Sequence, residues 1–334
     1  MKNRRLLIGS CITIVTLLII CAGYWFIHKK DVPVNIISKN NKITLKDMKE
    51  YFRANQFMSG TENPNKYFSD TIANSDTIKY FKFLQMQIAA GNLENHLTEV
   101  EKYLHSVMDP KKAEEMFALY KKFCNYEIEL ANKYRQLPQP TNAAEMLRYL
   151  EEIQDYRRDY FGADIADVMW GIEVKGQEYN IRKGAVIGDN NLYGIEKEKR
   201  LSELREEMWG SGSDNVEGPP QTDPEKFESY QEKQAIYQKD LQELPENQRM
   251  EKMKDFRKEY FSSDQIARLE QVDTELDADK KKEADYYAQE KEIMNNPGID
   301  ADKKEDAVRE LQNNVFGDEA DAFRRRLNIK KNKK

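Results

Sequence analysis

The side chains that could do chemistry in this sequence form no pattern that an enzyme or a metal site requires. The three histidines, His28, His96 and His105, make no HExxH or other metal-binding motif. The last two are nine positions apart, which places them on different faces of a helix. A Gly-Ser-Gly-Ser run at 210–213 follows a predicted helix rather than a strand, so it is no nucleophile elbow. Ordinary helix-surface histidines and a loop are the better interpretation.

The cysteine and acidic residues also form no pattern that a catalytic or metal site requires. Cys124 lies on the apolar stripe of a predicted helix, where a buried structural thiol is expected rather than a nucleophile. The acidic pairs near 277–279 and 300–302 lack the glycine and terminal glutamate of an EF-hand, and no Gly-x-x-x-x-Gly-Lys loop is present. The sequence therefore predicts no catalytic residue, no metal, no cofactor and no small-molecule substrate. A hydrolase of the cell envelope is an alternative function, ranked third.

Composition favours an all-helical chain that is extended rather than globular. Its 334 residues are 34% charged with only 15 glycines and 10 prolines, which is typical of long helices with solvated faces. Residues 1–27 hold basic residues and no acid, so the rest of the chain carries a net charge of about −9. A negative body argues against nucleic acid as a partner.

One segment predicts a membrane anchor. Residues 6–27 carry no charge and would span about 33 Å as a helix, close to the hydrocarbon thickness of a bilayer. Lys2, Arg4 and Arg5 outweigh Lys29 and Lys30, so we expect a cytoplasmic N-terminus and residues 31–334 on the other side of the membrane.

Apolar periodicity after this segment predicts helices throughout. Helical spacing over residues 77–104 is broken by Gly91 and Asn92. A second amphipathic helix follows Pro110 from 111 to 135, and its apolar stripe includes Ile128. We predict an all-α chain in which an N-terminal transmembrane helix precedes two small helical domains joined by an extended, open helical arm. The predicted limits are 1–30 for tail and anchor, 31–45 for a linker, 46–138 and 276–334 for the two domains, and 139–275 for the arm.

An internal repeat marks the ends of several helices. At shifts of 100 and 55 residues the sequence repeats a helix that ends in an aromatic residue, then a small residue, then an acid that favours the start of the next helix. The aromatic residues of the three copies are Phe161, Phe261 and Phe316, and the acids are Asp164, Asp264 and Glu319.

The order of parts and three local matches resemble the lipase-specific foldases, which are membrane-anchored steric chaperones. Ser59–Thr61 is similar to a Gly-Thr stretch of that family, residues 76–94 align with its Arg-x-x-Phe-Asp-Tyr-(Phe/Cys)-Leu-(Ser/Thr)-Ala signature, and the helix ends at Phe161, Phe261 and Phe316 resemble its helix-end pattern. Phe81, Phe83 and Leu84 stand at apolar signature positions. Ile78, Lys82 and Met86 replace the family's Arg, Asp and Ser/Thr.

The resemblance implies a site and a partner. The partner would be a secreted lipase, here called the client, and the residues implied to bind it are Phe81, Lys82, Phe83, Leu84, Phe161, Phe261 and Phe316. It also implies an inner-membrane protein with a periplasmic body. Helical spacing alone favours a second interpretation, in which Ile78, Phe81, Leu84 and Ile88 are core residues. The alternative function is a membrane-anchored helical scaffold of the cell envelope or secretion machinery.

Overall fold

The computed structural model describes Ile37 and residues 43–53, 63–135, 138–210 and 222–331. Every regular element in these ranges is helical, which confirms the all-α prediction. A 3₁₀ turn, Gly317–Glu319, precedes the last of the described helices. The α-helices are α1 (Leu45–Arg53), α2 (Pro64–Tyr67), α3 (Thr77–Gln87), α4 (Leu93–Val107), α5 (Pro110–Tyr134), α6 (Ala143–Phe161), α7 (Ala163–Ile187), α8 (Gly194–Trp209), α9 (Asp223–Ile236), α10 (Gln238–Glu243), α11 (Glu246–Tyr260), α12 (Ser263–Asn295), α13 (Ala301–Phe316) and α14 (Ala320–Lys331).

The described part of the chain divides into two compact units, with the boundary between residues 252 and 253. Residue 275, the predicted end of the arm, lies inside α12, which runs without a break from Ser263 to Asn295. The division into two small domains and an arm stays a prediction.

The predicted membrane helix, residues 6–27, lies outside the described residues. Within the part of the chain that the structure describes, no helix is both long enough and apolar enough to cross a membrane.

Local signals set the helix starts in the first unit. The Asn92 side chain accepts a hydrogen bond from the backbone N–H of Asn95 at the start of α4, and Pro110 lies in the first turn of α5. The predicted break near Gly91 and the predicted helix after Pro110 are therefore confirmed. Helices α3, α4 and α5 share a core whose largest buried side chains are aromatic: Tyr80, Phe81, Tyr120, Phe123 and Tyr126.

The apolar stripe of α5 departs from its predicted course at one residue. Ile128 was expected on the buried face, and it is half exposed. Tyr126 takes the buried position, with its ring centroid 5.2 Å from that of Phe161 and 5.6 Å from that of Trp170. Around Tyr126 the buried face of α5 packs on α6 and α7, one turn beyond the contacts of Tyr120 and Phe123 with Phe81 of α3.

Helices α6 and α7 form a tight hairpin at Gly162. Its φ of 88° lies in the region that side chains other than glycine rarely adopt, which lets α7 begin one residue later. The Arg157 guanidinium lies 4.9 Å from the Trp170 ring centroid and donates a 3.0 Å hydrogen bond to the Tyr126 hydroxyl. This charged group is buried with partners on both sides, so the hairpin is locked to α5.

Polar contacts join helices in the C-terminal part of the first unit, beside buried apolar side chains such as Leu201 and Ile236. The ammonium of buried Lys197 on α8 donates a 2.6 Å bond to the carbonyl of Ile187, at the end of α7. Lys233 on α9 pairs with Glu198 on α8 at 2.8 Å. Side-chain ion pairs and a few apolar contacts therefore hold α8 and α9 together.

The second unit has a small aromatic core. Tyr286 of α12, Phe316 of α13 and Phe323 of α14 are buried together with Ala320, and the rings of Phe316 and Phe323 stack 3.9 Å apart. The amide of Gln312 donates a 2.9 Å hydrogen bond to the Tyr286 hydroxyl. Three helices thus meet around one cluster of rings.

The sequence repeat corresponds to three helix junctions. Phe161 ends α6 and Asp164 lies in the first turn of α7, while Phe316 ends α13 before the 3₁₀ turn that holds Glu319. After Phe261, the Ser262 side chain caps α12, and Asp264 lies in its first turn. The predicted helix ends and starts are confirmed at all three junctions.

Candidate functional site

The signature helix α3 turns most of its implied client-binding residues into the core. Phe81 and Leu84 are completely buried and Phe83 is nearly so, packed with Tyr120 and Phe123 of α5. Ile78 is buried too, and Ile88 packs at the edge of the same core. The interpretation of this face as core is confirmed. Of the implied residues on α3, only Lys82 presents a polar group to solvent.

Lys82 belongs to a polar cluster between α3 and α5. Its ammonium forms an ion pair with the Glu127 carboxylate, which also accepts a hydrogen bond from the Gln85 amide. The Lys82 ammonium lies 5.2 Å from the Phe123 ring centroid. Both members of the ion pair are partly exposed, so this cluster is the polar surface patch of the signature segment.

Hydrogen bonds at His96 link the end of α3, helix α4 and helix α5. Because the Ile88 carbonyl can only accept, His96 Nδ1 carries the proton and donates to it at 2.7 Å. His96 Nε2 then accepts the Tyr120 hydroxyl proton at 2.6 Å. Burial raises the pKa of the neighbouring Cys124 thiol to about 11, although the Tyr120 hydroxyl opposes that shift. The prediction of His96 as a helix-surface residue is therefore wrong, because its ring is buried with a hydrogen-bond partner at each nitrogen. Cys124 is the buried thiol that its place on the apolar stripe predicts.

The three helix-end aromatics occupy different environments. Phe161 is buried among Tyr126, Tyr160 and Trp170, and Phe316 is buried in the aromatic core of the second unit. Phe261 is partly exposed beside Tyr260. Phe161 and Phe316 are therefore positioned to hold helix junctions, and Phe261 offers part of its ring to the surface.

The segment before α2 is fastened to α7, which the sequence did not indicate. We call Ile37 together with residues 43–53 the strap. Its side chains Ile37, Ile43, Leu45 and Met48 are buried, and α1 packs along α7 over Gly171 and Gly176. Part of the predicted linker 31–45 is thus integrated into the fold. Two glycines inside one helix were the available sequence signal.

An exposed apolar surface lies on α12. This helix has 33 residues, all described, and Tyr286 is its one buried side chain. Val272 and Leu276 are four residues apart on one face, and they are 48% and 51% exposed. These two side chains give α12 a small exposed apolar face.

No group of three or more histidine, cysteine, aspartate or glutamate side chains in the described residues is arranged to hold a metal ion. Around the signature helix the described residues offer packing surfaces and a polar patch at Lys82. These features suit protein binding.

Comparison with known proteins agrees with that chemistry. The sequence model of the proteobacterial lipase chaperone proteins matches residues 119–320, well over half of the chain. This chain belongs to the lipase chaperone family. It is also 22% identical over 262 residues to a lipase chaperone of Acinetobacter baylyi, an alignment that covers 76% of this chain and 70% of that protein. No solved structure matches the chain.

The match to the lipase chaperone family lies in the helices after the signature segment. It begins within α5 and ends at Ala320, so it includes the junctions at Phe161, Phe261 and Phe316. Residues 78–86 lie before it, and the Ser59–Thr61 stretch lies outside the described residues. The client-binding roles implied for these residues stay predictions.

Proposed function

We propose that this chain is a membrane-anchored steric chaperone that binds a secreted lipase in the periplasm and assists its folding. The observation that carries the proposal is the family match over residues 119–320. Lipase is the client in the proposal because both the family and the Acinetobacter relative are named as lipase chaperones. The uncharged segment 6–27 supports anchoring in the inner membrane, with the N-terminus in the cytoplasm.

In this proposal the chaperone acts by covering surface rather than by chemistry. Two small helical domains and an open arm would clasp the lipase, and a partner that binds the native fold better than its competitors shifts the client toward that fold. Val272 and Leu276 supply an apolar contact on α12, and Lys82 supplies a polar contact on the signature helix. The buried Phe81, Phe83 and Leu84 then hold α3 in position behind Lys82.

The test is the refolding of a denatured lipase from the same cell with the full chain held in lipid nanodiscs. We expect a stable complex and a higher yield of active lipase than with empty nanodiscs. A chain that forms no complex and adds no activity would refute the proposal. Self-association of the chain under those conditions would favour the envelope scaffold instead.

A matched pair of double variants tests the α12 surface. Val272→Asp with Leu276→Asp should weaken the complex, because each change places a charge where an apolar contact is proposed. Gln271→Asp with Thr274→Asp adds two carboxylates to exposed polar positions of the same helix and should leave the complex unchanged. Equal losses from both pairs would assign the effect to charge on α12 rather than to this apolar face.

A further inference from the structure

Positive charge is concentrated in the residues that follow the aromatic core of the second unit. We call residues 324–334 the basic segment, which holds three arginines, four lysines and no aspartate or glutamate. Its charge of +7 belongs to a chain of net charge −6, so all the other residues together carry −13. A block of like charge in a chain of the opposite sign is typical of a segment that contacts a charged partner.

The aromatic core fixes the direction in which α14 faces. Phe323 is buried against Tyr286 and Phe316, and Leu327 packs against the same cluster. Because residues four positions apart lie on one side of a helix, Phe323 and Leu327 define the core side of α14. Arg325 lies on the opposite side and is exposed. The helix continues to Lys331, so it carries positive charge beyond the core.

Two of the three arginines are used within the second unit. The Arg324 guanidinium donates a 2.7 Å hydrogen bond to the Asp321 carboxylate, one helical turn before it. The Arg326 guanidinium forms an ion pair with Glu283 of α12. These contacts fasten the start of the basic segment to the core. Arg325 and the four lysines are the other five of its seven positive charges.

The types of these five residues suit a diffuse negative surface. An arginine binds a carboxylate through a planar fork of fixed geometry, whereas a lysine ammonium is a point charge at the end of a flexible stem. Four of the five are lysines, which need no matched carboxylate. A bilayer that contains anionic phospholipids presents a continuous negative potential, and each lysine or arginine near it adds to the binding.

We propose that the basic segment binds the anionic phospholipid surface of the membrane in which residues 6–27 are anchored. The inference rests on the membrane location in the proposed function and not on the identity of the client. Arg325 and the four lysines would contact lipid phosphates, while Phe323 and Leu327 keep α14 in the second unit. Because the attraction is between exposed charges, it is screened by salt.

The test compares the full chain in nanodiscs of phosphatidylcholine alone and in nanodiscs of phosphatidylcholine mixed with anionic phosphatidylglycerol. Hydrogen–deuterium exchange in α14 should be at least about tenfold slower in the anionic nanodiscs, and concentrated NaCl should remove that difference. Replacing the four lysines of the basic segment with glutamine should also remove it. The matched control replaces four exposed lysines of α5 and α12 with glutamine and should keep the difference. These control residues are Lys111, Lys121, Lys281 and Lys291.

The outcomes separate this inference from the proposed function. Equal exchange of α14 in the two lipids would show that the basic segment is only a solvated surface, and the inference would be wrong. Slower exchange that follows the protein concentration and not the lipid would also contradict it, because the segment would then bind an acidic surface of a second copy. If the chain does not enter nanodiscs, its proposed anchoring fails. Vesicles of the same two lipid compositions, added to the free chain, then decide whether the basic segment binds anionic lipid.

Discussion

Replacing Phe316 with alanine should unfold the second unit locally rather than remove a client contact. Phe316 is 7% exposed, stacks on Phe323 at 3.9 Å and meets the Tyr286 ring at 5.3 Å. Truncating a buried phenylalanine costs about 3–5 kcal/mol through lost transfer energy and the remaining cavity. The aromatic pairs raise that cost, since each is worth about 0.5–1.5 kcal/mol beyond the area it buries.

The size of this effect is large for so small a core. The cluster has four buried residues, and a whole domain is stable by only about 5–15 kcal/mol. At about 1.4 kcal/mol per factor of ten, a loss of 3 kcal/mol or more lowers the protection of backbone amides by at least about 10²-fold.

Hydrogen–deuterium exchange measured by mass spectrometry is the assay. Peptides from α13, α14 and the part of α12 around Tyr286 should lose protection in Phe316→Ala, while peptides from α3 to α7 keep theirs. Leu276→Ala is the matched control, because Leu276 is half exposed and its truncation should change stability by less than about 0.5 kcal/mol. Wild-type protection in Phe316→Ala with a weakened lipase complex would refute the core assignment and restore Phe316 as a client contact.

Three further predictions follow from particular contacts. Gly162→Val should lower the free energy of unfolding by about 1–3 kcal/mol in urea titrations, because φ is 88° there; Gly91→Val, at a helix break with ordinary φ, is the control. Folding raises the pKa of the Cys124 thiol from 9.0 to about 11, so the thiol of the unfolded chain ionises at lower pH. The free energy of unfolding should therefore fall between pH 9 and 11, by up to about 1.4 kcal/mol per pH unit. Cys124→Ala should show a shallower fall in the same titration. Lys82→Ala should lower the free energy of unfolding by less than about 1 kcal/mol, because its ion pair with Glu127 is partly exposed, yet it should weaken the lipase complex. Lys102→Ala, which removes an exposed ion pair with Glu99, should leave both the stability and the complex unchanged.

The helices could be predicted because their starts and ends depend on local features, each of which involves only a few neighbouring residues. Asn92 caps α4, Pro110 opens α5, and the aromatic-small-acid repeat ends one helix and begins the next at each of its three copies. These effects depend on neighbours in sequence, so spacing alone locates them. The fold class could be predicted for the same reason.

Which side chains are buried and which reach the surface was harder to predict from the sequence. The signature alignment implied a binding role for four consecutive residues of α3, and packing against α5 leaves Lys82 as the one whose polar end reaches solvent. Ile128 shows the reverse, since a position on the predicted apolar stripe became surface when α5 changed partners. Periodicity finds a stripe, and only the neighbouring helices decide which part of it is covered.

The sequence by itself determined that the chain is all-helical and where several helices begin and end, because helix formation and capping depend on neighbouring residues. It also determined the resemblance to the family to which the chain belongs, because the repeat is visible in the types of the residues alone. The tertiary structure decided which signature residues are core and where Ile37 and residues 43–53 dock. The bonds from Ile37 to Glu178 and from Lys175 to Ile43 join segments far apart in sequence, and no local rule predicts such a pair. The glycines of α7 acquire a role only when the strap lies against them.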